Sequence, residues 1–391
     1  MIYLIIIDGL GDDRIGALNN KTPFEFAKKP NIDFFIKNGK LKEISISKFA
    51  PESDVGVLKA LGSSLRGYTG RGVLELLGTP LKFKNGDLAL RANFATIANG
   101  KIIDRRVGRT LTTREAKILE KALNKIKIPD AKIKFLATSG HRGVLHISSN
   151  NLSSNISNTD PAYKKIGYFS KALAKPSNAI QFCRPLIKSA RARKSAEIIN
   201  SWLLKAKEVL EKSKVNLNRR KKGELEANWI LLRDASDKLP KFKKNYKNFF
   251  ALAAMPLEKG IAKSLGMRVL KFNYSPKVES DPILRLKEEI FASKRTIKKF
   301  KARGIYIHFK PIDEISHDGD YKLKVKAIEM VDDFFKALKA QFDFQRDLLI
   351  LTGDHSTSCL KKAHTAGKVP MLIAGKAKIF KNYFQTLNLK L

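Results

Sequence analysis

The residue around which chemistry can be built in this chain is Ser53, because acidic and imidazole side chains cluster at both ends of the sequence around it. Ala50-Pro51-Glu52-Ser53-Asp54-Val55-Gly56-Val57-Leu58 reads as a loop entering a helix, with Ser53 near the helix N-terminus, where backbone N–H groups favour negative charge. Asp313 and His317 are four residues apart, so a helix puts both on one face as a workable pair of metal ligands. Asp354-His355 follows one apolar run and Asp8 follows another. The chain has six histidines (His141, His146, His308, His317, His355 and His364), and three of them fall between 317 and 364 with Asp354 among them. Each feature alone is ordinary. Asp-x-x-x-His recurs in many chains, one member of an adjacent Asp-His pair can cap a helix or sit in a core, and a single His364 is usually a surface side chain. Together they make two carboxylate-and-imidazole sites, a mixture of oxygen and nitrogen donors that suits Mn²⁺, Zn²⁺ or Co²⁺. Two such cations roughly 4 Å apart polarise a phosphoryl group and stabilise the attacking and leaving oxygens. Asp8 and Ser53 add an acid and a hydroxyl from the N-terminal part of the same predicted sheet.

The elements that must position these residues are apolar strands alternating with helical stretches. Residues 2–7 form an unbroken apolar run before Asp8-Gly9, Gly304–Phe309 precedes Lys310-Pro311-Ile312-Asp313, Asp347–Leu351 precedes Thr352-Gly353-Asp354-His355, and Val369–Gly375 follows His364. Thr22-Pro23 starts a helix, with Thr as N-cap and Pro in the first turn. This alternation predicts an α/β fold with a mostly parallel sheet covered on both faces. In such sheets ligands gather beyond the carboxyl ends of the strands, where Asp8, Asp313, Asp354 and His355 stand. The first lies near the N-terminus and the others beyond residue 310, so the core closes from both ends of the chain. The expected division is a metal-binding core of residues 1–87 and 248–391 around an inserted domain of residues 88–247, which has its own strand-like runs at 132–138 and 143–147 and a long helix from Ala192 to about Lys214.

The order of motifs resembles the alkaline phosphatase superfamily. Asp8-Gly9, Ser53-Asp54, Asp313-Glu314-x-x-His317-Asp318-Gly319, Gly353-Asp354-His355-Ser356-Thr357 and His364 run in that family's sequence. Within it the chain is similar to the archaeal cofactor-independent phosphoglycerate mutases, through Tyr68-Thr69-Gly70-Arg71-Gly72, Arg91–Thr96, Ile103–Arg109, Gly140–Leu145 and Thr159-Asp160-Pro161. The resemblance covers nearly the whole chain and implies an alkaline-phosphatase-like sheet with an inserted second α/β domain. It implies one metal on Asp313, His317 and His364 and another on Asp8, Ser53, Asp354 and His355. The implied cations are Mn²⁺ first, with Co²⁺, Zn²⁺ or Mg²⁺ as alternatives, and 2,3-bisphosphoglycerate is not needed. Ser53 takes the phosphoryl group of 3-phosphoglycerate and returns it to the 2-hydroxyl of the retained glycerate. Candidate substrate contacts are Arg71, Arg105, Arg109, His141, Arg142 and Arg233, with Lys310 at the edge of the core. The alternative on the same site is a phosphohydrolase or phosphotransferase acting on another small phosphate ester. Departures from the family pattern fall at Asn158, where it has aspartate, at Ala162, where it has histidine, at Asp234 and Ser236, where it has glycine, and at Pro51-Glu52 before the serine, where it has small glycine-rich sequence.

Composition bounds the rest. The 391 residues suffice for two cores, and a mean hydropathy of -0.25 is that of a globular chain. No apolar run reaches the roughly 18 to 20 residues of a membrane span. Cys183 and Cys359 make no disulfide framework, which suits a reducing compartment, and cytoplasm is the expectation. The net charge of +39 is uneven: residues 91–247 hold 36 basic and 12 acidic residues. No nucleic-acid-binding motif accompanies that excess, so the expected partner is a small phosphorylated acid drawn to a basic cleft, not nucleic acid or a membrane. A basic protein that binds RNA without turnover is the reading from another class, and the intact set of Ser53 and six Asp and His ligands argues against it.

Overall fold

The computed structural model describes residues 1–47, 50–173 and 175–376. They fall into two compact units: residues 1–66, 242–254 and 261 onward in the first, and residues 67–241 with 255–260 in the second.

The first unit is built on a seven-stranded sheet in the spatial order Arg268–Val269, Phe249–Leu252, Gly304–Phe309, Ile2–Ile7, Leu348–Thr352, Val369–Gly375 and Gly39–Ile44. Its first five strands run parallel, and the last two are antiparallel additions at one edge. Every residue from Ile2 to Ile7 is buried, as a strand covered on both faces requires. It lies between Gly304–Phe309 and Leu348–Thr352, with Ile7 opposite Phe309 and Ile6 opposite Thr352. The segments holding Asp8, Lys310 and Asp354 therefore leave the sheet at the same edge. The helices Pro282–Lys299 and Tyr321–Lys339 start at Asp281 and Asp320, whose side chains accept from the first-turn N–H groups. Their apolar residues, including Leu286, Ile290, Phe334 and Phe335, share one core with Ile5, Ile7, Ile307 and Leu351.

Helix signals read from the sequence are local and hold at these termini. Thr22 caps a helix of four residues, Pro23–Phe26, with a full capping box, and a second helix restarts at Pro30. Ser53 is the first residue of the Ser53–Ala60 helix. Pro311 opens the Pro311–Asp318 helix, and Gly319, at φ +84°, ends it.

The second unit is antiparallel. Leu88–Ala98 lies at its centre, flanked by Lys101–Asp104, Arg142–Ser148 and Trp229–Ser236, and Lys132–Ser139 extends it beyond Arg142–Ser148. Phe94, Phe135, Trp202 and Trp229 fill the core beneath the Thr113–Leu123 and Ala190–Glu211 helices. The long helix thus runs from Ala190 to Glu211, and a separate helix, Lys214–Lys221, follows Ser213.

The division between the units falls at 66/67 and 241/242, where the sequence reading drew it at 87/88 and 247/248. The reason is packing. Val73 and Leu76 of the Arg71–Leu77 helix bury against Phe83 and Ala89, and a Cβ on Gly72 would come within 2.4 Å of the carbonyl oxygens of Ala89 and Asp234. Among the described residues no helix is long and apolar enough to cross a membrane.

Candidate active site

At the carboxyl edge of the first unit's sheet three ligand atoms face one another. His355 Nε2 lies 3.2 Å from Asp8 Oδ1 and 3.3 Å from Asp354 Oδ2. All three residues are essentially inaccessible to solvent, and none of these three atoms makes a hydrogen bond. Buried polar atoms are nearly always hydrogen-bonded, and buried carboxylates cost several kcal/mol unless compensated, so this geometry fits a cation held by the three side chains. The other oxygens of both carboxylates are anchored. Gly9 N donates to Asp354 Oδ1 at 3.1 Å, and His308 Nε2 and the Lys310 ammonium both contact Asp8 Oδ2.

A second group lies beside the first and shares His355 with it: Asp313, His355 and His364 offer atoms within 4.8 Å of one another. His364 Nε2 and His317 Nε2 lie 3.5 and 3.6 Å from Asp313 Oδ1, and the His355 and His364 rings stack with centroids 3.8 Å apart. The helix Pro311–Asp318 therefore puts Asp313 and His317 together, as their spacing predicts.

The partners of the ring nitrogens fix the tautomers. His317 Nδ1 lies 2.9 Å from the Lys362 carbonyl and His364 Nδ1 lies 2.9 Å from the Pro51 carbonyl. Carbonyls only accept, so each Nδ1 carries a proton and each Nε2 is turned toward Asp313. The Thr357 hydroxyl donates to Asp313 Oδ1 at 2.8 Å and is left to accept from His355 Nδ1 at 3.0 Å, which turns His355 Nε2 toward Asp8 and Asp354. This outer layer of acceptors is the arrangement that orients metal-binding histidines.

Electrostatics agree. Burial opposes charge on Asp8, but Lys310, His308 and His355 outweigh it and hold the carboxyl well below its usual range. Burial and the neighbouring Asp8 raise Asp354. Burial disfavours the His355 imidazolium, yet Asp354, Asp8 and Asp313 push it up to about 9. Without a cation, protons neutralise this acidic cluster; a divalent ion replaces them.

Ser53 is tied to the cluster from both sides. Two residues before it, the Pro51 carbonyl accepts from His364. Three residues after it, Gly56 lies so close to the Asp354 backbone that a Cβ would be 2.5 Å from the Asp354 carbonyl oxygen. Ser53 itself is buried in the first turn of its helix.

The arginine candidates lie in the second unit. Arg105 Nη2 contacts buried Asp160, and Arg233 Nη1 lies 3.8 Å from the other oxygen of that carboxylate. The Arg233 guanidinium stacks on the Tyr163 ring at 3.7 Å. Arg71 Nε and Arg91 Nε share Glu75 Oε1 at 2.9 and 2.6 Å. His141 is buried, and burial together with Arg142, Arg106, Arg109 and Arg233 holds it well below its usual range, so it is neutral at pH 7. Between Arg106 and Arg109 the backbone is strained: Val107, Gly108 and Arg109 all have φ between +54° and +59°, a conformation that costs a β-branched residue most. Asp104 Oδ1 stabilises the turn by accepting from Arg106 N and Gly108 N.

Sequence reasoning missed His308, Thr357, Arg91, Arg106 and Tyr163. His308 is hidden inside an apolar strand, and Thr357 carries no signal of its own. Arg91 and Arg106 lie within motifs shared with the family, and Tyr163 lies two residues beyond Thr159-Asp160-Pro161, after Ala162.

Comparisons with known proteins lead the same way. The sequence profile of the 2,3-bisphosphoglycerate-independent phosphoglycerate mutase family matches residues 37–216. The chain is 36% identical to the 2,3-bisphosphoglycerate-independent phosphoglycerate mutase of Aeropyrum pernix, covering 95% of this chain and 90% of that one. It is also 36% identical to the enzyme of that name from Pyrococcus furiosus, over 95% and 87% of the two chains. A solved Pyrococcus horikoshii protein matches with a TM-score of 0.73 and 26% identity, over 100% of this chain and 98% of that one. The cofactor-independent phosphoglycerate mutase of Thermoplasma acidophilum matches with a TM-score of 0.56 and 26% identity, over 96% and 90%. Identity sustained over nearly the whole of both chains, on a fold carrying these acid and imidazole clusters, means that the chain belongs to the 2,3-bisphosphoglycerate-independent phosphoglycerate mutase family.

Proposed function

We propose that this chain interconverts 3-phosphoglycerate and 2-phosphoglycerate through a phosphoserine at Ser53. The observation that carries the reading is the convergence of Asp8 Oδ1, Asp354 Oδ2 and His355 Nε2, buried and without hydrogen bonds, on a loop packed against the helix that begins at Ser53. Asp8, Asp354, His355 and Ser53 hold one divalent cation, and Asp313, His317 and His364 hold the other; Mn²⁺ suits this donor set. When bound, the cations supply Lewis-acid polarisation of the phosphoryl oxygens and lower the proton affinity of the serine hydroxyl.

The chain's own residues do the rest. Ser53 Oγ attacks phosphorus, the bond from phosphorus to the C3 oxygen of the substrate breaks, and that oxygen takes up a proton as glycerate forms. The glycerate 2-hydroxyl then attacks the same phosphorus, loses its proton and releases Ser53. The positive helix N-terminus favours the developing charge on Ser53. Lys310 and His308 orient Asp8 by its outer oxygen. Arg105, Arg109, Arg142 and Arg233, with Arg71 and neutral His141, are the candidate cationic anchor for the glycerate carboxylate. The buried free thiols of Cys183 and Cys359 suit a reducing cytoplasm.

A coupled assay for 2-phosphoglycerate from 3-phosphoglycerate, with Mn²⁺ and no added 2,3-bisphosphoglycerate, tests the reading. Turnover is expected, and Ser53→Ala is expected to lose it by several orders of magnitude while remaining folded. Release of inorganic phosphate with no 2-phosphoglycerate makes the chain a phosphohydrolase instead.

A further inference from the structure

Asp234 occupies a backbone conformation that glycine adopts without strain. It is buried in the Trp229–Ser236 strand with φ +62°, a left-handed value that few residues other than glycine, asparagine and aspartate adopt. The strand pairing slips here. Ala89 lies opposite Ser236 and Arg91 opposite Arg233, so Asp234 and Ala235 together face Leu90, the arrangement of a bulge that re-aims side chains. Consecutive residues of a regular strand point to opposite faces, but at this bulge Arg233 Nε and Asp234 Oδ2 lie 3.7 Å apart. Arg91 Nη1 lies 3.6 Å from the same oxygen. A ring of hydrogen bonds fixes the arrangement: Asp234 N donates to Asn158 Oδ1 at 3.1 Å, Asn158 Nδ2 donates to Ser170 Oγ at 3.0 Å, and the Ser170 hydroxyl reaches back to the Asp234 carboxylate.

The left-handed backbone thus delivers a negative charge into a set of four guanidiniums, buried Arg91 and Arg233 and half-buried Arg71 and Arg105, whose other acids are Glu75 and Asp160. We propose that Asp234 is a specificity-determining residue: it lowers the positive potential of this arginine cluster so that the cluster receives the carboxylate end of a phosphorylated hydroxy acid and rejects the phosphate end. The inference rests on the function proposed above. Such a substrate has anionic groups at both ends and can present either of them to the arginines. Coulomb attraction scales with ligand charge, so a counter-charge in the cluster weakens a dianion about twice as much, in free energy, as a monoanion.

The test is calorimetric titration of the full-length, Mn²⁺-loaded Ser53→Ala protein with D-glycerate and, separately, with inorganic phosphate, comparing Asp234 with Asp234→Gly and Asp234→Asn. Glycine relieves the left-handed backbone and asparagine tolerates it, so both variants keep the fold. Removing the carboxylate is expected to tighten glycerate binding about threefold and to tighten phosphate about tenfold, or to expose a second phosphate site per chain; tenfold corresponds to about 1.4 kcal/mol. Equal changes for the two ligands, no change for either, or loss of glycerate binding with phosphate unaltered each overturn the proposal. Absence of mutase turnover in the protein with Ser53 intact, together with the expected contrast between the two ligands, overturns the function proposed above and leaves the charge-setting role standing.

Discussion

Both units of this protein bury charge, but in opposite states of completion. In the second unit the guanidiniums of Arg71, Arg91, Arg105 and Arg233 each have a carboxylate partner within the chain, and those partners, Glu75, Asp160 and Asp234, are buried too. In the first unit Asp8 Oδ1, Asp354 Oδ2 and His355 Nε2 face one another with no hydrogen bond among them. Buried charge is tolerable when it is paired. The arginine cluster is paired by its own sequence, so its geometry is preset before any ligand arrives. The acidic centre is paired within the chain through Lys310 and a proton on His355, so its protonation depends on what is bound.

Metal removal therefore gives the largest expected effect. Chelation with EDTA is expected to abolish turnover, with restoration by Mn²⁺ or Co²⁺; full activity in metal-stripped protein removes the contrast altogether. The pH dependence sharpens it. His355 is raised to about 9 from an ordinary 6.5 in the metal-free protein. Its stabilising contribution is therefore fully present below pH 6.5 and is lost as pH rises through 9. A cation displaces that proton, so its affinity increases over the same window. Melting temperatures with and without Mn²⁺ are expected to diverge steadily from pH 6.5 to 9. A constant gap shows that His355 is not a ligand.

A smaller effect is expected in the second unit. Arg105→Ala removes the contact to Asp160 Oδ1 and leaves that buried carboxylate with the Ala162 N–H, at 3.3 Å, and Arg233, at 3.8 Å. Loss of a charge-assisted contact costs about 1.5 to 3 kcal/mol, so KM for 3-phosphoglycerate is expected to rise roughly tenfold to a hundredfold. Inorganic phosphate released per 2-phosphoglycerate formed is expected to rise with it, because glycerate escapes before phosphoryl return. An unchanged ratio and KM make Arg105 a structural partner of Asp160 and nothing more.

In the first unit an effect confined to metal affinity is expected. Thr357→Val removes the hydroxyl that links His355 Nδ1 to Asp313 but leaves every ligand atom in place. Metal affinity is expected to fall about 10- to 100-fold, with kcat at saturating Mn²⁺ nearly unaltered. A loss of kcat that excess metal does not rescue places Thr357 in the chemistry itself.

What the sequence made legible was the set of residues whose position follows from a single element. Asp8 and Asp354 follow strands of unbroken apolar residues, and Asp313 and His317 share one face of a helix delimited by Pro311 and Gly319. Residues whose role depends on pairing between distant strands were not legible. His308 looks like an inward-facing residue of a buried strand, and only the parallel register of Ile6 with His308 brings it to Asp8. Arg91 and Asp234 meet because the register slips between Ala89 and Arg91, and no local pattern announces a bulge. The edge of the second unit escaped for the same reason: Val73 and Leu76 belong with Ala89 by packing, which proximity in sequence to Ser53 does not reveal.

The place of Ile2–Ile7 in the middle of the first unit's sheet also dictates when that unit can form. Its two neighbouring strands begin at Gly304 and Leu348, and Gly9 and Asp354, joined in the finished protein, are 345 residues apart. A chain leaving the ribosome carries this apolar strand unpaired through most of its synthesis. The strands of the second unit all lie between Leu88 and Ser236 and close on one another much earlier, as domains fold in the order they emerge. Contacts between remote segments form late because the intervening loop must first be closed. The acidic centre is thus assembled late, and a nascent chain halted before Leu348 has a complete second-unit sheet but lacks Asp354, His355 and His364.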